Sequence, residues 1–170
     1  ICQALSLPPA HLIGDRDSAA HDAWAWAEEH GARVHAFPPA KDFTDTELAL
    51  RIAAELMPSA FVILTGAFGG RFDHLMSVAS VAAHAALPCI LADEREALFF
   101  LHGDESLTIT CDSPPQAISL LPFTEECTGI TTNGLRWELS HAQIHTHSST
   151  TISNVLAEGN TEPRFSVTLG

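Results

Sequence analysis

Three short stretches in the first half of the sequence combine acidic, basic and glycine residues at spacings that suit chemistry. The first surrounds Asp15 and Asp17, which are two residues apart and follow Gly14. In extended or turning backbone this spacing can bring both carboxylates to one side of the chain, where their charges repel each other. A hard divalent cation between them relieves the repulsion, so the pair predicts a metal site. Taken alone, the heptad Leu12–Ser18 is more typical of an acidic surface turn.

The second stretch begins at Lys41 and runs into a helix. Thr44 and Glu47 form the Thr-x-x-Glu pattern of a capping box, which predicts that the helix starts there. Asp45 falls in the first turn, where the helix dipole favours negative charge, and this structural role explains it. The dipole does not explain Lys41 and Asp42 in the preceding loop so readily. Both residues are therefore candidates for contact with a ligand.

The third stretch follows Phe61–Thr65, a continuous apolar run that is typical of a strand buried on both faces. Gly66, Gly69 and Gly70 come next, and glycine allows tight turns or a close approach of the backbone to a ligand. The N-terminus of the helix predicted after them is suited to phosphate, as is the guanidinium group of Arg71. A single glycine-rich turn is a weak signal by itself.

The elements around these stretches determine where the stretches lie. The predicted strands are Leu12–Ile13, Arg33–Phe37, Phe61–Thr65 and Pro88–Ala92, and the predicted helices begin at Ser18, Thr44 and Phe72. This alternation predicts an α/β domain with a mostly parallel, Rossmann-like sheet flanked by helices. All three stretches follow the carboxyl end of a strand, which is the edge where open α/β sheets bind ligands. Their shared position is the strongest physical argument for one common site.

From about residue 99 the pattern changes to short alternating runs separated by turn residues. The predicted strands are Leu107–Thr110, Ala117–Leu121, Leu135–Leu139, Ile144–Thr146 and Phe165–Leu169. They indicate a small antiparallel β-sandwich or roll, and they divide the chain into domains at 1–98 and 99–170. A core of about 70 residues is marginal, so this domain should pack on the α/β half or on a second copy of itself. Trp137 lies in one of these strands and is expected in the core rather than stacked on a ligand.

The composition excludes several classes of protein. The net charge of −13 argues against a nucleic-acid-binding protein, and no apolar run approaches the roughly 20 residues of a membrane span. A hydrophobic fraction of 46% excludes general disorder. The four cysteines are scattered without a CxxC pair, which favours the cytoplasm. His145 and His147 lack a third ligand at zinc-like spacing and are interpreted as surface histidines.

Taken together, the motifs resemble those of the thiamine pyrophosphokinase family. In the first half they are GDRDS at 14–18, KDFTDTELAL at 41–50 and GAFGGRFDH at 66–74; in the second half they are ISLLP at 118–122, TGITTNGLRW at 128–137 and TISN at 151–154. The likeness runs through nearly the whole chain and keeps the order of the motifs. The first three motifs are specific as a set, although each is weak alone.

The resemblance implies a reaction, a metal and a partner. Members of the family transfer a pyrophosphoryl group from ATP to the hydroxyl of thiamine, with Mg²⁺, and produce thiamine diphosphate and AMP. They are homodimers whose active sites combine the α/β domain of one subunit with the β domain of the other. The resemblance therefore implies ATP and thiamine as ligands, while the composition predicts that the chain binds neither nucleic acid nor membrane.

The resemblance also implies a role for each matching residue. Asp15, Asp17 and Asp45 would hold Mg²⁺ and, together with Lys41 and Arg71, would form the catalytic set. The nucleotide side would be formed by Asp42, Thr44, Gly66, Gly69, Gly70, Asp73 and His74, and thiamine would contact Thr151, Ser153 and Asn154. The acceptor of the hydroxyl proton is left open between Asp17, Asp73 and water.

The sequence departs from the family pattern in several places, which include Pro9-Ala10 where Pro-Asp is common and Thr151 where a serine is usual. Arg16 stands between the two aspartates, where the family usually has an apolar residue, and the chain starts at Ile1 without the family's upstream strand and its acidic, glycine-rich turn. Two alternatives therefore stay open. One is a pyrophosphokinase of the same fold that acts on another alcohol, such as a pterin, although the likeness of the second half to a thiamine-binding domain argues against it. The other is a catalytically silent protein that binds nucleotide or thiamine.

Overall fold

The structure, a computed structural model, describes residues 2–15, 21–38, 42–159 and 162–170 of the chain. The chain divides into two compact units, Ile1–Phe100 and Leu101–Gly170, which are called unit 1 and unit 2 below. Among the described residues, no helix combines the length and the apolar character needed to cross a membrane.

Unit 1 alternates strands with helices. Its strands are β1 (His11–Gly14), β2 (Arg33–Ala36), β3 (Val62–Leu64), β4 (Cys89–Ala92) and β5 (Ala97–Phe99), and its helices are α1 (His21–Glu29), α2 (Asp45–Leu56) and α3 (Phe72–Ala83). β1 pairs with β2 in parallel, with Gly14 opposite Ala36, and β3 pairs with β4 in parallel. The predicted α/β alternation is therefore confirmed.

The prediction of one mostly parallel, Rossmann-like sheet is wrong for these strands. In the described part of the chain, β1 and β2 form one sheet, while β3, β4 and β5 form a second sheet in which β5 runs antiparallel to β4. The antiparallel direction of β5 is caused by the tight turn between β4 and β5. The N–H of Asp93 donates to the carbonyl of Glu96 (3.0 Å), and Oδ1 of Asp93 accepts the N–H groups of Arg95 (2.8 Å) and Glu96 (2.9 Å). Such a short connection returns the chain beside the strand it has just left, which permits only antiparallel pairing.

The core of unit 1 lies between α2, α3 and β4, where Leu50, Ala79 and Leu91 are buried. β3 lies at the edge of its sheet, and Ile63 on this strand is 58% exposed. The expectation that Phe61–Thr65 is buried on both faces is therefore wrong. Within the described residues, β3 has a neighbouring strand on one side only, so its other side is open.

Unit 2 is built around a four-stranded antiparallel sheet. Its strands are β6 (Ser106–Thr110), β7 (Glu126–Asn133), β8 (Ala142–His145) and β9 (Arg164–Thr168), in the order β6-β9-β7-β8. The buried core on one face of this sheet consists of Ile118, Ile130, Leu135, Ile144, Phe165 and Val167. The prediction of a small antiparallel β unit is therefore correct in its main feature.

The second layer of the predicted sandwich is not a hydrogen-bonded sheet in the described residues. The predicted strands Ala117–Leu121 and Leu135–Leu139 contribute one isolated bridge each, from Ile118 and Leu135. The sequence pattern also did not predict β7. In that strand Gly129 adopts a φ of 68° beside a bulge, and a bulge interrupts the alternation by which strands are recognised. Irregular segments therefore cover the sheet.

Candidate active site

Helix α2 begins where the sequence predicts. The Oγ1 atom of Thr44 accepts a hydrogen bond from the N–H of Glu47 (3.2 Å), so Thr44 is the N-cap and Asp45 is the first residue of the helix. The carboxylate of Glu47 accepts a hydrogen bond from Arg51 (2.8 Å). The hydroxyl of Thr44 holds the helix terminus in place, and this fixes the position of Asp45. A nucleotide contact of Thr44 stays a prediction.

The carboxylate of Asp45 lies against the end of β1. A Cβ atom built on Gly14 would be 2.9 Å from Oδ2 and 3.3 Å from Cγ of Asp45, and Gly14 has a φ of 150°. Only a residue without a side chain suits both the contact and this backbone conformation. Asp15, which is half-buried, directly follows Gly14. Two of the three predicted metal ligands, Asp15 and Asp45, thus come from different elements to the carboxyl end of β1.

These two carboxylates suit Mg²⁺, which proteins usually hold through one or two carboxylates together with phosphate oxygens and water. Within the described residues, no group of three or more His, Cys, Asp or Glu side chains is arranged to hold a metal. Asp17 lies outside the described residues, so its place as a third ligand stays a prediction. Asp15 and Asp45 are the described oxygen donors that would hold the ion beside a bound polyphosphate.

A glycine-rich turn follows β3 and leads into α3. Gly69 has a φ of 120° and Gly70 a φ of 65°, which glycine adopts without strain. The turn borders a cavity of about 350 Å³, which is in the size range of small-molecule sites. Its wall includes the predicted site residues Gly66, Gly69, Arg71 and His74, and also Thr46. Since Thr46 directly follows Asp45, the first turn of α2 connects the end of β1 with the glycine-rich turn.

Arg71 is held at the rim of this cavity by Asp73. Nε of Arg71 donates to Oδ1 of Asp73 (3.1 Å), and Nη2 donates to Oδ2 (2.5 Å). The hydrogen bonds from Arg71 lower the pKa of Asp73, and the same bonds raise the pKa of Arg71. Both side chains are largely exposed. Arg71 is therefore an oriented cation at the surface of the cavity, and Asp73 is an ionised carboxylate while the two remain paired.

The N-terminus of α3 adds to the positive character of the cavity. Arg71 is the N-cap residue of α3, and its own side chain does not cap the first turn. The N–H groups and the dipole at a helix N-terminus favour an anion. Because Arg71 and His74 both line the cavity, this end of α3 is suited to receive phosphate oxygens.

Unit 2 contains a smaller cavity of about 90 Å³ near the predicted thiamine residues. Thr151 and Asn154 line it, whereas Ser153 does not. The hydroxyl of Thr151 is buried and donates to the carbonyl of Leu120 (2.7 Å), so it supports the cavity wall. Ser153 is exposed, has a φ of 62°, and donates its N–H to Oγ of Ser119 (3.1 Å). The cavity has room for the edge of a ring rather than for a whole thiamine molecule.

Trp137 lies outside the core, contrary to the prediction. Its side chain is 59% exposed and lines the same cavity. The guanidinium group of Arg136 lies over the indole, 5.2 Å from the ring centroid. The backbone of Trp137 is bonded by the side chain of Asn154 instead of a neighbouring strand, and this places the indole at the surface. Trp137 is a candidate ligand contact for which the only sequence signal is an aromatic residue shortly after the Asn133-Gly134 turn.

The structure brings part of the predicted site together. Within unit 1, the Asp45 carboxylate lies against Gly14, which Asp15 directly follows. Gly66, Gly69, Arg71 and His74 line the cavity, and Gly70 and Asp73 are adjacent to them. Asp42 is exposed in the loop before α2, and both Asp17 and Lys41 lie outside the described residues. Sequence reasoning missed Thr46, although its place directly after Asp45 in the first helical turn was a usable signal.

Comparison with known proteins assigns both units to one family. The family model "Thiamin pyrophosphokinase, catalytic domain" matches residues 2–90, and "Thiamin pyrophosphokinase, vitamin B1 binding domain" matches residues 105–170. The thiamine pyrophosphokinase of Bacillus subtilis (strain 168) is 29% identical over 151 residues, which are 87% of this chain and 70% of that protein. Thiamin pyrophosphokinase 1 of Caenorhabditis elegans is 25% identical over 146 residues, and the match covers 77% of this chain and 60% of that protein.

Solved structures agree on the fold. The crystal structure of thiamine pyrophosphokinase from Bacillus subtilis superimposes with a TM-score of 0.81 at 24% identity and covers 99% of this chain and 77% of that chain. Thiamin pyrophosphokinase from Candida albicans superimposes with a TM-score of 0.72 at 16% identity, covering 95% of this chain and 73% of that chain. Since the two family models together match most of the sequence, the chain belongs to the thiamine pyrophosphokinase family.

Proposed function

We propose that this chain transfers a pyrophosphoryl group from ATP to the hydroxyl of thiamine. The hydroxyl oxygen bonds to the β-phosphorus of ATP, the bond from that phosphorus to the oxygen of the α-phosphate breaks, and AMP leaves with the electron pair. The observation that supports this function is that the first turn of α2 adjoins both the end of β1 and the glycine-rich turn. There the carboxylate of Asp45 adjoins the end of β1, and Thr46 borders the cavity of the glycine-rich turn.

The acidic residues at the end of β1 would hold Mg²⁺ in this proposal. Asp15 and Asp45 are the described ligands, and Asp17 would be the third. Mg²⁺ neutralises charge on the polyphosphate, which is the main requirement of phosphoryl chemistry. Lys41 would add a second cation, and Asp42 would help to orient the phosphates or their metal.

The glycine-rich turn would hold the polyphosphate and the nucleotide. Gly66, Gly69 and Gly70 let the backbone approach phosphate oxygens, and the first turn of α3 presents N–H groups to them. Arg71 has a planar fork of donors that matches phosphate geometry. When Arg71 turns from Asp73 to phosphate, the hydrogen bonds that lower the pKa of Asp73 are lost. Asp73 then becomes a better acceptor for the hydroxyl proton, alongside Asp17 and water.

The exposed indole of Trp137 and the small cavity beside it would hold thiamine. Thiamine carries an aromatic pyrimidine and a cationic thiazolium ring, and a tryptophan face attracts cations and stacks on flat rings. Glu138 lines the same cavity, and the overall charge of −13 also favours a cationic substrate. Thr151, Ser153 and Asn154 would shape this subsite.

A second copy of the chain is the proposed protein partner, and the cytoplasm is the proposed compartment. The resemblance of the motifs supports a homodimer whose active sites combine residues of both subunits. Exposed apolar side chains on unit 2, among them Leu121 (58% exposed) and Phe123 (42% exposed), are suited to an interface. Sedimentation equilibrium tests the proposal, since a chain that stays monomeric at all concentrations would contradict it.

The decisive experiment incubates the protein with ATP, Mg²⁺ and thiamine and identifies the nucleotide product. AMP together with thiamine diphosphate would support the proposal, whereas ADP would indicate an ordinary kinase. A parallel reaction with a hydroxymethyl pterin in place of thiamine tests the alternative substrate. Calorimetry that detects ATP and thiamine binding without turnover would instead favour a catalytically silent binding protein.

A further inference from the structure

The side chain of Asn154 holds the backbone of Trp137 at two points. Oδ1 of Asn154 accepts the N–H of Trp137 (3.2 Å), and Nδ2 donates to the carbonyl of Trp137 (2.8 Å). The two residues are 17 positions apart in sequence, so these bonds join separate segments of unit 2. A primary amide that bonds both the donor and the acceptor of one residue fixes the position and the tilt of that residue's peptide groups.

Asn154 is itself fixed to the core. Its N–H donates to the carbonyl of Ile118 (2.8 Å), and its carbonyl accepts the N–H of Ile118 (2.7 Å). Ile118 is only 8% exposed. Oδ1 of Asn154 also accepts the N–H of Val155 (2.9 Å), so two N–H groups occupy its two lone pairs. The backbone of Asn154 is thus anchored at the core while its side chain holds Trp137. Both lone pairs of its side-chain oxygen, Oδ1, are occupied, so Oδ1 cannot accept a further hydrogen bond from a ligand.

The indole that is held in this way is presented to solvent instead of being packed. Trp137 is 59% exposed, and Arg136 lies over its ring at 5.2 Å from the centroid. Arg136 is positioned by its N–H, which donates to the carbonyl of Val155 (2.8 Å), and by Glu158, 3.7 Å from its guanidinium. The guanidinium covers one side of the ring, so the other side is the one available to a flat ligand.

We propose that Asn154 is a positioning residue that sets the indole of Trp137 as a platform for an aromatic, cationic ring. The identification of that ring as thiamine rests on the proposed function. The proposal differs from the expectation that Asn154 contacts thiamine directly, because Oδ1 and one of the two N–H groups of Nδ2 already bond backbone groups. Asn154 acts on the substrate through Trp137.

Asn154→Ala in the full chain tests this role. Loss of both bonds should raise the KM for thiamine about tenfold, while kcat and the KM for ATP stay unchanged. Asn154→Asp keeps the acceptor but replaces the donor with an oxygen that repels the Trp137 carbonyl, so it should also raise the KM for thiamine. Asn133→Ala is the matched control, since Asn133 is an exposed asparagine at the end of β7. An unchanged thiamine KM in Asn154→Ala would overturn the proposal.

A double-mutant cycle separates positioning from direct contact. If Asn154 acts through the indole, then Asn154→Ala should not raise the thiamine KM further in a Trp137→Ala background. Additive effects of the two substitutions would mean that Asn154 contacts the substrate independently, which would overturn the proposal. Should Asn154→Ala fail to fold, the same cycle is run with Asn154→Asp.

A spectroscopic readout keeps this test independent of the proposed function. The chain labelled with 5-fluorotryptophan gives ¹⁹F signals for Trp24, Trp26 and Trp137. The signal that disappears in Trp137→Phe is the signal of Trp137. Asn154→Ala should shift and broaden the Trp137 signal and leave the other two in place. If the wild-type chain does not convert thiamine, the proposed function fails, but this signal still reports whether Asn154 holds the indole. A Trp137 signal that is identical in both proteins would overturn the proposal in either case.

Discussion

The carboxylate of Asp45 lies so close to Gly14 that a Cβ atom on Gly14 would be 2.9 Å from its Oδ2 atom. This contact joins the first turn of α2 to the end of β1, and Asp15 is the next residue of the chain. The absence of a side chain at position 14 therefore sets how closely the Asp45 carboxylate approaches the end of β1, where Asp15 follows. Metal binding should depend on a residue that has no functional group.

Gly14→Ala should weaken metal binding while the rest of the fold is retained. The added methyl group displaces the Asp45 carboxylate, and we expect affinity for Mn²⁺, used as a paramagnetic substitute for Mg²⁺, to fall about 10- to 100-fold. Electron paramagnetic resonance measures free Mn²⁺ directly. Gly31→Ala is the control, because Gly31 also has a positive φ (90°), whereas a Cβ atom added to it would meet none of the described residues within 4 Å. Equal Mn²⁺ affinity in the two variants would contradict the proposed metal site.

Asp15→Asn should abolish most of the turnover without unfolding the protein. The substitution removes one charge at nearly constant shape, and we expect kcat to fall by about 10²-fold or more. Circular dichroism checks the fold, and AMP release measures the turnover. Asp104→Asn, in an exposed loop of unit 2, is the matched control. Near-normal turnover in Asp15→Asn would rule out its role as a ligand.

Arg71→Lys should raise the KM for ATP although the charge is kept. Lysine lacks the planar fork of arginine, so it cannot bind Asp73 or phosphate through two parallel hydrogen bonds, and we expect a rise of about tenfold. Initial-rate kinetics at saturating thiamine give the measurement. Arg51→Lys is the control, since Arg51 is also an exposed arginine paired with a carboxylate, Glu47. An unchanged KM for ATP in Arg71→Lys would show that the guanidinium group of Arg71 does not contact the nucleotide.

The stability of the β4–β5 turn should depend on pH through Asp93. The N–H groups of Arg95 and Glu96 donate to its carboxylate and lower its pKa. A lowered pKa in the folded state stabilises the fold above the unfolded pKa of about 4, and this stabilisation is lost as the pH falls through the lower folded pKa. Urea unfolding at pH 5 and pH 3 should show a larger loss for the wild type than for Asp93→Asn, which does not titrate. Equal losses would contradict the role of Asp93.

Thr132→Val should destabilise unit 2 by removing a buried acceptor. Thr132 is 2% exposed, and its Oγ1 accepts the N–H of Leu139 (2.8 Å). Valine keeps the shape but leaves that N–H unsatisfied, which costs about 1–3 kcal/mol in the free energy of unfolding. Thr108→Val, on the exposed side of β6, is the control. Urea unfolding that does not separate the two variants would contradict this account.

The sequence predicted those features that depend on local chemistry. The capping pattern of Thr44 and Glu47 located the start of α2 and hence the position of Asp45. It did not predict β5, because the direction of a three-residue strand is set by the hydrogen bonds of the Asp93 turn rather than by its own pattern. The exposure of Trp137 was also missed, since an amide 17 residues away determines it.

In the candidate site, too, local sequence predicted some features, while tertiary contacts determined others. Residue types and order indicated a metal and a phosphate site, but the contact between Asp45 and Gly14 is a tertiary contact that no local pattern contains. Likewise, Thr46 enters the cavity wall only because the first turn of α2 reaches the glycine-rich turn. Local patterns therefore identified the chemical groups, and packing determined which of them meet.

The open side of β3 affects how the oligomeric state should be measured. Among the described strands, β3 has a neighbour on one side only, and such an edge, carrying a 58% exposed Ile63, is a template for pairing with another molecule of the same chain. If the β3 edge of one copy pairs with the β5 edge of the next, the assembly is open-ended and grows with concentration, whereas a closed dimer saturates at two copies. Light scattering on Ile63→Lys would distinguish the two, because a lysine on an edge strand suppresses sheet extension and leaves an interface formed by unit 2 intact.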